Sequence, residues 1–114
     1  MPLEKRTRVE IFLPIRLGTV SYRTVTEWLA EELAYSRGGS TLTTPFAGLY
    51  LSTTKNNLTR DQVNIIFCDF DLDSDDPNDR EELSAYLGEI RFLLMEMLLE
   101  EDVWIIYYPS TRVL

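Results

Sequence analysis

The chain contains no histidine. That removes the side chain whose ordinary pKa lies nearest neutrality, the commonest transition-metal ligand, and every catalytic triad built on imidazole. Any proton transfer would fall to carboxylates, Tyr, Lys, Arg or a bound metal. Cysteine is nearly as scarce. Cys68 stands alone, so no intrachain disulfide can form, and a reducing, cytoplasmic compartment is the expectation. Long apolar runs are missing: nothing approaches the ~20 consecutive apolar residues of a membrane-crossing helix. The charged start, Met1-Pro2-Leu3-Glu4-Lys5-Arg6-Thr7-Arg8, lacks the apolar stretch of a secretory signal, and no membrane partner is expected. Positive charge is in deficit as well, with 11 Lys and Arg against 19 Asp and Glu and a formal net charge of −8. Such a chain repels a phosphate backbone, and Lys5, Arg6 and Arg8 form only a small basic group. Nucleic acid is therefore disfavoured as a partner.

What is present is enough for one core. At 114 residues the sequence has the size of a single domain, taken here as residues 1–114. A chain of this length buries roughly two-thirds of its unfolded surface, so it needs neither disulfide nor metal to fold.

Val9-Glu10-Ile11-Phe12-Leu13 alternates, is rich in β-formers and stops at Pro14, which predicts a first strand. After a loop containing Gly18, Ser21 can cap a helix whose apolar rhythm is Tyr22, Val25, Trp28, Leu29 and Leu33. Gly38 and Gly39 end it. Ser40 to Thr54 is β-prone but interrupted by Pro45 and Gly48, which predicts an irregular edge strand centred on Leu49-Tyr50-Leu51. Lys55-Asn56-Asn57 supplies turn residues before a strong strand over Val63 to Phe70, and the two strands pair as a hairpin. An acidic loop, Asp69 to Asp79, leads into the longest helix, with Leu83, Leu87, Ile90, Leu94, Met97 and Leu98 on one face. Val103 to Tyr108 is the last strand, closed by Pro109. The order βαββαβ, with right-handed crossovers, predicts an α+β, ferredoxin-like domain: a four-stranded antiparallel sheet with both helices on one face.

Strand parity then assigns the sheet's two faces. Val9, Ile11, Leu13, Leu49, Leu51, Val63, Ile65, Phe67, Val103, Ile105 and Tyr107 form a set suited to packing against the helices. The other set is Phe12, Tyr50, Ile66, Cys68, Phe70, Trp104, Ile106 and Tyr108. In a lone domain that face meets water and should read polar; instead it is apolar and aromatic. Burying ~600 Å² of it per partner would contribute on the order of 15 kcal/mol before association costs. Three covers are open: a second copy, the chain's own termini or the Ser40 to Thr54 segment, or a ligand in an aromatic cleft. A second copy is the expectation, because symmetric dimers are the commonest solution for small domains. The interface or ligand face is accordingly placed at Phe12, Tyr50, Ile66, Phe70, Trp104, Ile106 and Tyr108.

The one cluster resembling a metal site is Asp69-Phe70-Asp71-Leu72-Asp73-Ser74-Asp75-Asp76. Counted from Asp71, it puts Asp at loop positions one, three and five, and Glu82 at twelve, the spacing of a calcium loop. The candidate ligands of a Ca²⁺ or Mg²⁺ ion are thus Asp71, Asp73, Asp75 and Glu82. Position six is Asp76, where the sharp turn wants glycine, and a strand enters the loop where a helix should. The competing reading is a solvated acidic loop in which Asp76 or Asp79 caps the following helix. Gly38-Gly39-Ser40-Thr41 has two readings as well, an anion-binding turn or a helix C-cap, with Arg16, Arg23 and Arg37 as candidate neighbours. Cys68, beside Asp69, reads as a packing residue.

Gly38-Gly39-Ser40-Thr41, followed by Pro45, Gly48 and Tyr50, resembles a pattern of small bacterial ferredoxin-like α+β proteins. These have a helix, a Gly-Gly-x-Thr turn, and a hairpin bearing glycine and an aromatic residue. The resemblance covers about a third of the chain; it implies the fold and transfers no activity. The functional expectation is a small homo-oligomeric interaction or regulatory module, a homodimer joined through the aromatic sheet face. The alternatives are a dimeric α/β-barrel ligand-binding protein or small enzyme, and a divalent-metal site at the acidic loop.

Overall fold

Alternating apolar residues in the first segment make a strand, and the two apolar stripes of period 3.6 make helices that lie on one side of the sheet that strand nucleates. The computed structural model describes residues 2–14, 20–43, 46–52 and 57–114, with side chains at 2–14, 22–43 and 63–114. The elements are β1 (Leu3–Pro14), α1 (Val20–Arg37), β2 (Thr41–Leu42), β3 (Phe46–Ser52), β4 (Asn57–Phe70), α2 (Pro77–Leu98) and β5 (Trp104–Val113). β2 and β3 follow one another along the same edge of β4, β4 pairs with β1, and β1 pairs with β5, every pairing antiparallel. This is the ferredoxin-like βαββαβ arrangement, with the predicted edge strand divided into two pieces. Gly18, Arg16, Pro45, Lys55 and Asn56, invoked above for loops, turns and charge, lie outside the described residues.

Several boundaries differ from expectation. β1 starts at Leu3, because β5 continues beside it: Pro109 faces Thr7, and the pairing persists to Leu3 opposite Val113. A proline is tolerated there because β5 is an edge strand. α1 begins at Val20, so Ser21 falls within its first turn and not at its cap. Asn57, expected in a turn, opens β4, whose first residues pair with β3 alone.

The register of β4 corrects the face assignment. Val9 lies opposite Cys68, and Ile11 opposite Ile66. Opposed residues in an antiparallel pair share a face, so Ile66, Cys68 and Phe70 point at the helices, while Ile65 and Phe67 point away. Ile66, Cys68 and Phe70 are buried with Val9, Ile11, Leu13, Leu29, Leu33, Leu83 and Leu94 in one core. The inward position of Asn64 is made acceptable by its partners. Its amide Nδ2 donates to the Thr43 carbonyl (2.8 Å), and its Oδ1 accepts from the Tyr22 hydroxyl (2.8 Å). Thr7, fully buried, donates to the Leu72 carbonyl at 2.9 Å.

α2 buries Leu83, Leu87, Ile90, Leu94 and Leu98; Met97, expected on the same stripe, is exposed. Its start is the capping alternative of the acidic loop: Asp76 is the N-cap and accepts from the Asp79 amide at 2.9 Å, with Pro77 as first helical residue. α1 ends at Gly38, whose φ of +95° suits glycine and whose amide donates to the Ala34 carbonyl at 3.1 Å. α2 ends on Leu99 at φ 53°, a left-handed residue that is not glycine.

Two predictions follow from the packing. Leu99 is almost wholly exposed, so Leu99→Gly removes left-handed strain without removing a core contact. The gain, net of glycine's larger unfolded-state entropy, is about 0.5–1 kcal/mol, read as a higher urea midpoint at unchanged slope. The Cys68 thiol is pushed up to about 11, first by burial and then by the neighbouring Asp69 carboxylate. At pH 8 the thiolate fraction falls ~100-fold relative to an ordinary cysteine. Disulfide-reagent labelling should therefore be slow in the native protein and complete within the mixing time in denaturant.

Candidate functional site

Two surfaces stand out, and they share residues. The first is the face of the sheet turned away from the helices. Arg8, Glu10 and Phe12 project there from β1, Phe67, Asp69 and the buried Ile65 from β4, and Trp104, Ile106 and Tyr108 from β5. Trp104 is 59% exposed, Ile106 40% and Tyr108 42%. Of the residues assigned to this face from the sequence, Phe12, Trp104, Ile106 and Tyr108 lie on it. Ile66 and Phe70 are removed from it by the register of β4 and sit in the helix-covered core. Tyr50 is opposite Thr59 in the backbone pairing of β3 with β4, and its side chain lies outside the described residues. Phe67 takes their place.

The face is not uniformly apolar. Arg8 and Asp69 are directly opposed across the two central strands and form an ion pair, Nε to Oδ1 at 2.7 Å, with the Arg8 guanidinium also 5.7 Å from the centre of the Phe67 ring. Beside them the Tyr108 hydroxyl donates to the Glu10 carboxylate, and this bond holds the Tyr108 pKa above its ordinary value.

The acidic loop does not assemble as a metal centre. Asp71 lies 3.5 Å from Arg6, Glu82 4.0 Å from Arg37, and Asp73 3.9 Å from Lys5. Asp73 also accepts from the Asp75 amide at 3.0 Å, and Asp79 accepts from the Asp73 amide at 2.8 Å. The carboxylates thus satisfy the loop's own amides and neighbouring cations. Among the described residues no three acidic or cysteine side chains are placed to hold a metal ion. The calcium-like spacing of Asp71, Asp73, Asp75 and Glu82 is corrected accordingly: the turn at Asp76 becomes a helix cap instead of a ligand cradle.

The second surface is a groove of about 510 Å³ where α1 hands over to β2. Pairing of β2 with β4 stops at Thr41 opposite Phe67, and the chain departs through Ser40, Gly39 and Gly38. Four arginines line the gap: Arg6 and Arg8 from β1, Arg37 from the end of α1, and Arg112 from β5, with Asp69 the lining carboxylate. Arg37 is stacked, its guanidinium 4.2 Å from the Tyr86 ring centre and 4.9 Å from that of Phe70. Tyr86 is itself held by donating to Glu32 at 2.9 Å and by edge-on packing against Phe70 at 5.7 Å. Arg6 is fixed by Glu4 at 2.7 Å and by donating to the Asp69 carbonyl at 3.0 Å; its pKa is raised chiefly through the Glu4 bond. Arg112 makes no ion pair or hydrogen bond among the described residues. Of the arginines named for this turn from the sequence, Arg37 is in place and Arg23 pairs instead with Glu27 along α1 at 3.2 Å. The signal for the rest was present in the i, i+2 spacing of Arg6 and Arg8, which places both on one strand face.

No family model matches the chain, and no curated protein matches it in sequence. Among solved structures, a phage SAM lyase in complex with S-methyl-5′-thioadenosine is similar over 96% of this chain and 90% of its own, with a TM-score of 0.64 and 12% identity. The B. subtilis GlnK–ATP complex is similar over 93% and 82%, with a TM-score of 0.45 and 13% identity. At such identities the likeness to the lyase is one of fold, and the chain shares that fold along nearly its whole length.

Proposed function

We propose that the chain is a self-associating interaction or regulatory module in which a second copy covers the open face of the sheet. The observation that carries this reading is the row Trp104, Ile106 and Tyr108, well exposed on an edge strand that presents no charge from Trp104 to Tyr108. Taking about 200 Å² for each large side chain, their exposed fractions leave on the order of 300 Å² of apolar surface in water. Covering it contributes about 7 kcal/mol before association costs. That is half the gain expected from parity alone, because Ile66, Cys68 and Phe70 are already inside. A stable interface then needs its polar rim, and the Arg8, Asp69 and Glu10 side chains supply both signs of charge for one. A face with both signs suits a second, identical face related by a two-fold axis.

Light scattering on a size-exclusion column tests the reading. The expected result is a mass twice that of the chain, held across a hundredfold dilution, and the monomer mass for Trp104→Asp, a substitution at an exposed position that leaves the core intact. A monomer mass for the parent chain, or an unchanged mass for the variant, refutes the interface. Because two copies of a −8 chain repel at long range, association is expected to tighten as salt rises from low to physiological ionic strength.

A further inference from the structure

We propose that the arginine groove binds a small oxyanion of the phosphate class. The chain has 11 basic residues against 19 acidic ones, and four of the 11 line this groove; three of these are already paired, Arg6 with Glu4 and Asp71, Arg8 with Asp69 and Arg37 with Glu82. Guanidinium groups gathered against low-dielectric walls still offer an anion directed, charge-assisted donors.

The donors are of two kinds. The guanidinium groups of Arg6, Arg8, Arg37 and Arg112 offer planar forks matched to tetrahedral or planar oxyanions. Two of them are held before any ligand arrives, Arg37 by its aromatic stack and Arg6 by Glu4 and the Asp69 carbonyl, so little side-chain entropy is lost on binding. The backbone amides of Gly39 and Ser40 add uncharged donors: neither makes a hydrogen bond among the described residues. Cβ-free Gly39 also leaves the approach open, since nothing stands within 4 Å of where a Cβ would be. The competing carboxylates are Glu4 and Asp71 on Arg6 at 2.7 and 3.5 Å, Glu82 on Arg37 at 4.0 Å, and Asp69 on Arg8 at 2.7 Å, the last pair being exposed. An exposed pair of this kind holds its partner only weakly, so Arg8 can turn to a multiply charged ligand. A volume of about 510 Å³ exceeds what inorganic phosphate fills and also admits a larger molecule bearing a phosphate.

Isothermal titration of the full chain with sodium pyrophosphate, at constant ionic strength, tests the site. Binding is expected, weakened ~10- to 100-fold by Arg112→Gln, which deletes one charge-assisted contact. Arg112 is exposed and makes no ion pair or hydrogen bond among the described residues, so an unchanged Tm for that variant separates loss of binding from loss of fold. Arg37→Lys keeps the charge while losing the fork and the stack, and should weaken binding by a similar factor. A parallel titration with ATP distinguishes the sources of the anion. Affinity at least about tenfold above that of pyrophosphate assigns it to a larger phosphorylated ligand, and equal affinity to the free anion; either result retains the site. No binding of pyrophosphate or ATP at millimolar concentration, or binding that both variants leave unchanged, overturns it.

Discussion

The register of β4 on β1 is the constraint on which the rest of the molecule depends. A shift of one residue would exchange every side chain of β4 between the two faces. It would carry Phe70 away from Tyr86 and Asp69 away from Arg8, and leave Asn64 outside without its Tyr22 and Thr43 partners. Hydrophobicity alone scarcely selects between the two registers, since Val63, Ile65 and Phe67 are as apolar as Ile66, Cys68 and Phe70. Polar residues decide. Asp69 cannot enter the core unpaired, whereas on the outer face it sits opposite Arg8, and Asn64 can enter because the Tyr22 hydroxyl and the Thr43 carbonyl satisfy it.

Phe70 links that register to the helices. As the last residue of β4 it is fully buried, packs edge-on against Tyr86 of α2, and supports Arg37 of α1 from beneath. Tyr86 stacks on Arg37 in turn and reaches Glu32 on α1. One aromatic pair therefore fixes the closing turn of α1 against the middle of α2, and with it the point at which Gly38 turns the chain toward β2. The groove is a product of this joint: a helix end held by stacking and a strand edge left unpaired past Phe67.

Much of the fold was legible because its signals are local. The 3.6-residue stripe of α2, the glycines ending α1 and the strand runs of β1, β4 and β5 each determine an element without reference to a neighbour. Pairing-dependent features were not. The course of β5 beyond Pro109 depends on a partner, β1, that offers its edge to Val113. The parity of β4 depends on the partner's register in the same way, so Ile66 and Phe70 were assigned to the wrong face and Phe67 was missed. The candidate sites divide along the same line. Trp104, Ile106 and Tyr108 lie on one strand, and period two placed them correctly relative to each other. The arginine groove draws on β1, α1 and β5, elements far apart in sequence, and only Arg37 could be associated with Gly38 and Gly39 by proximity along the chain. Spacing also misled at the acidic loop, because positions one, three, five and twelve describe ligands only if the backbone curls, and here Asp76 starts a helix instead.

The sheet face and the groove meet at Arg8, Phe67 and Asp69, which belong to both. Arg8 is the hinge of that overlap. Paired with Asp69 it contributes to the rim that a second copy would meet; turned toward an anion it leaves a carboxylate uncompensated on the same rim. An oxyanion in the groove would also add negative charge to a chain already at −8. Both effects would act against association of two such faces, so in this reading binding and self-association are coupled through Arg8. Linkage requires the penalty to be reciprocal: whatever factor the anion imposes on dimer affinity, the second copy imposes on anion affinity. A module built this way would report the presence of its ligand as a change in its own assembly.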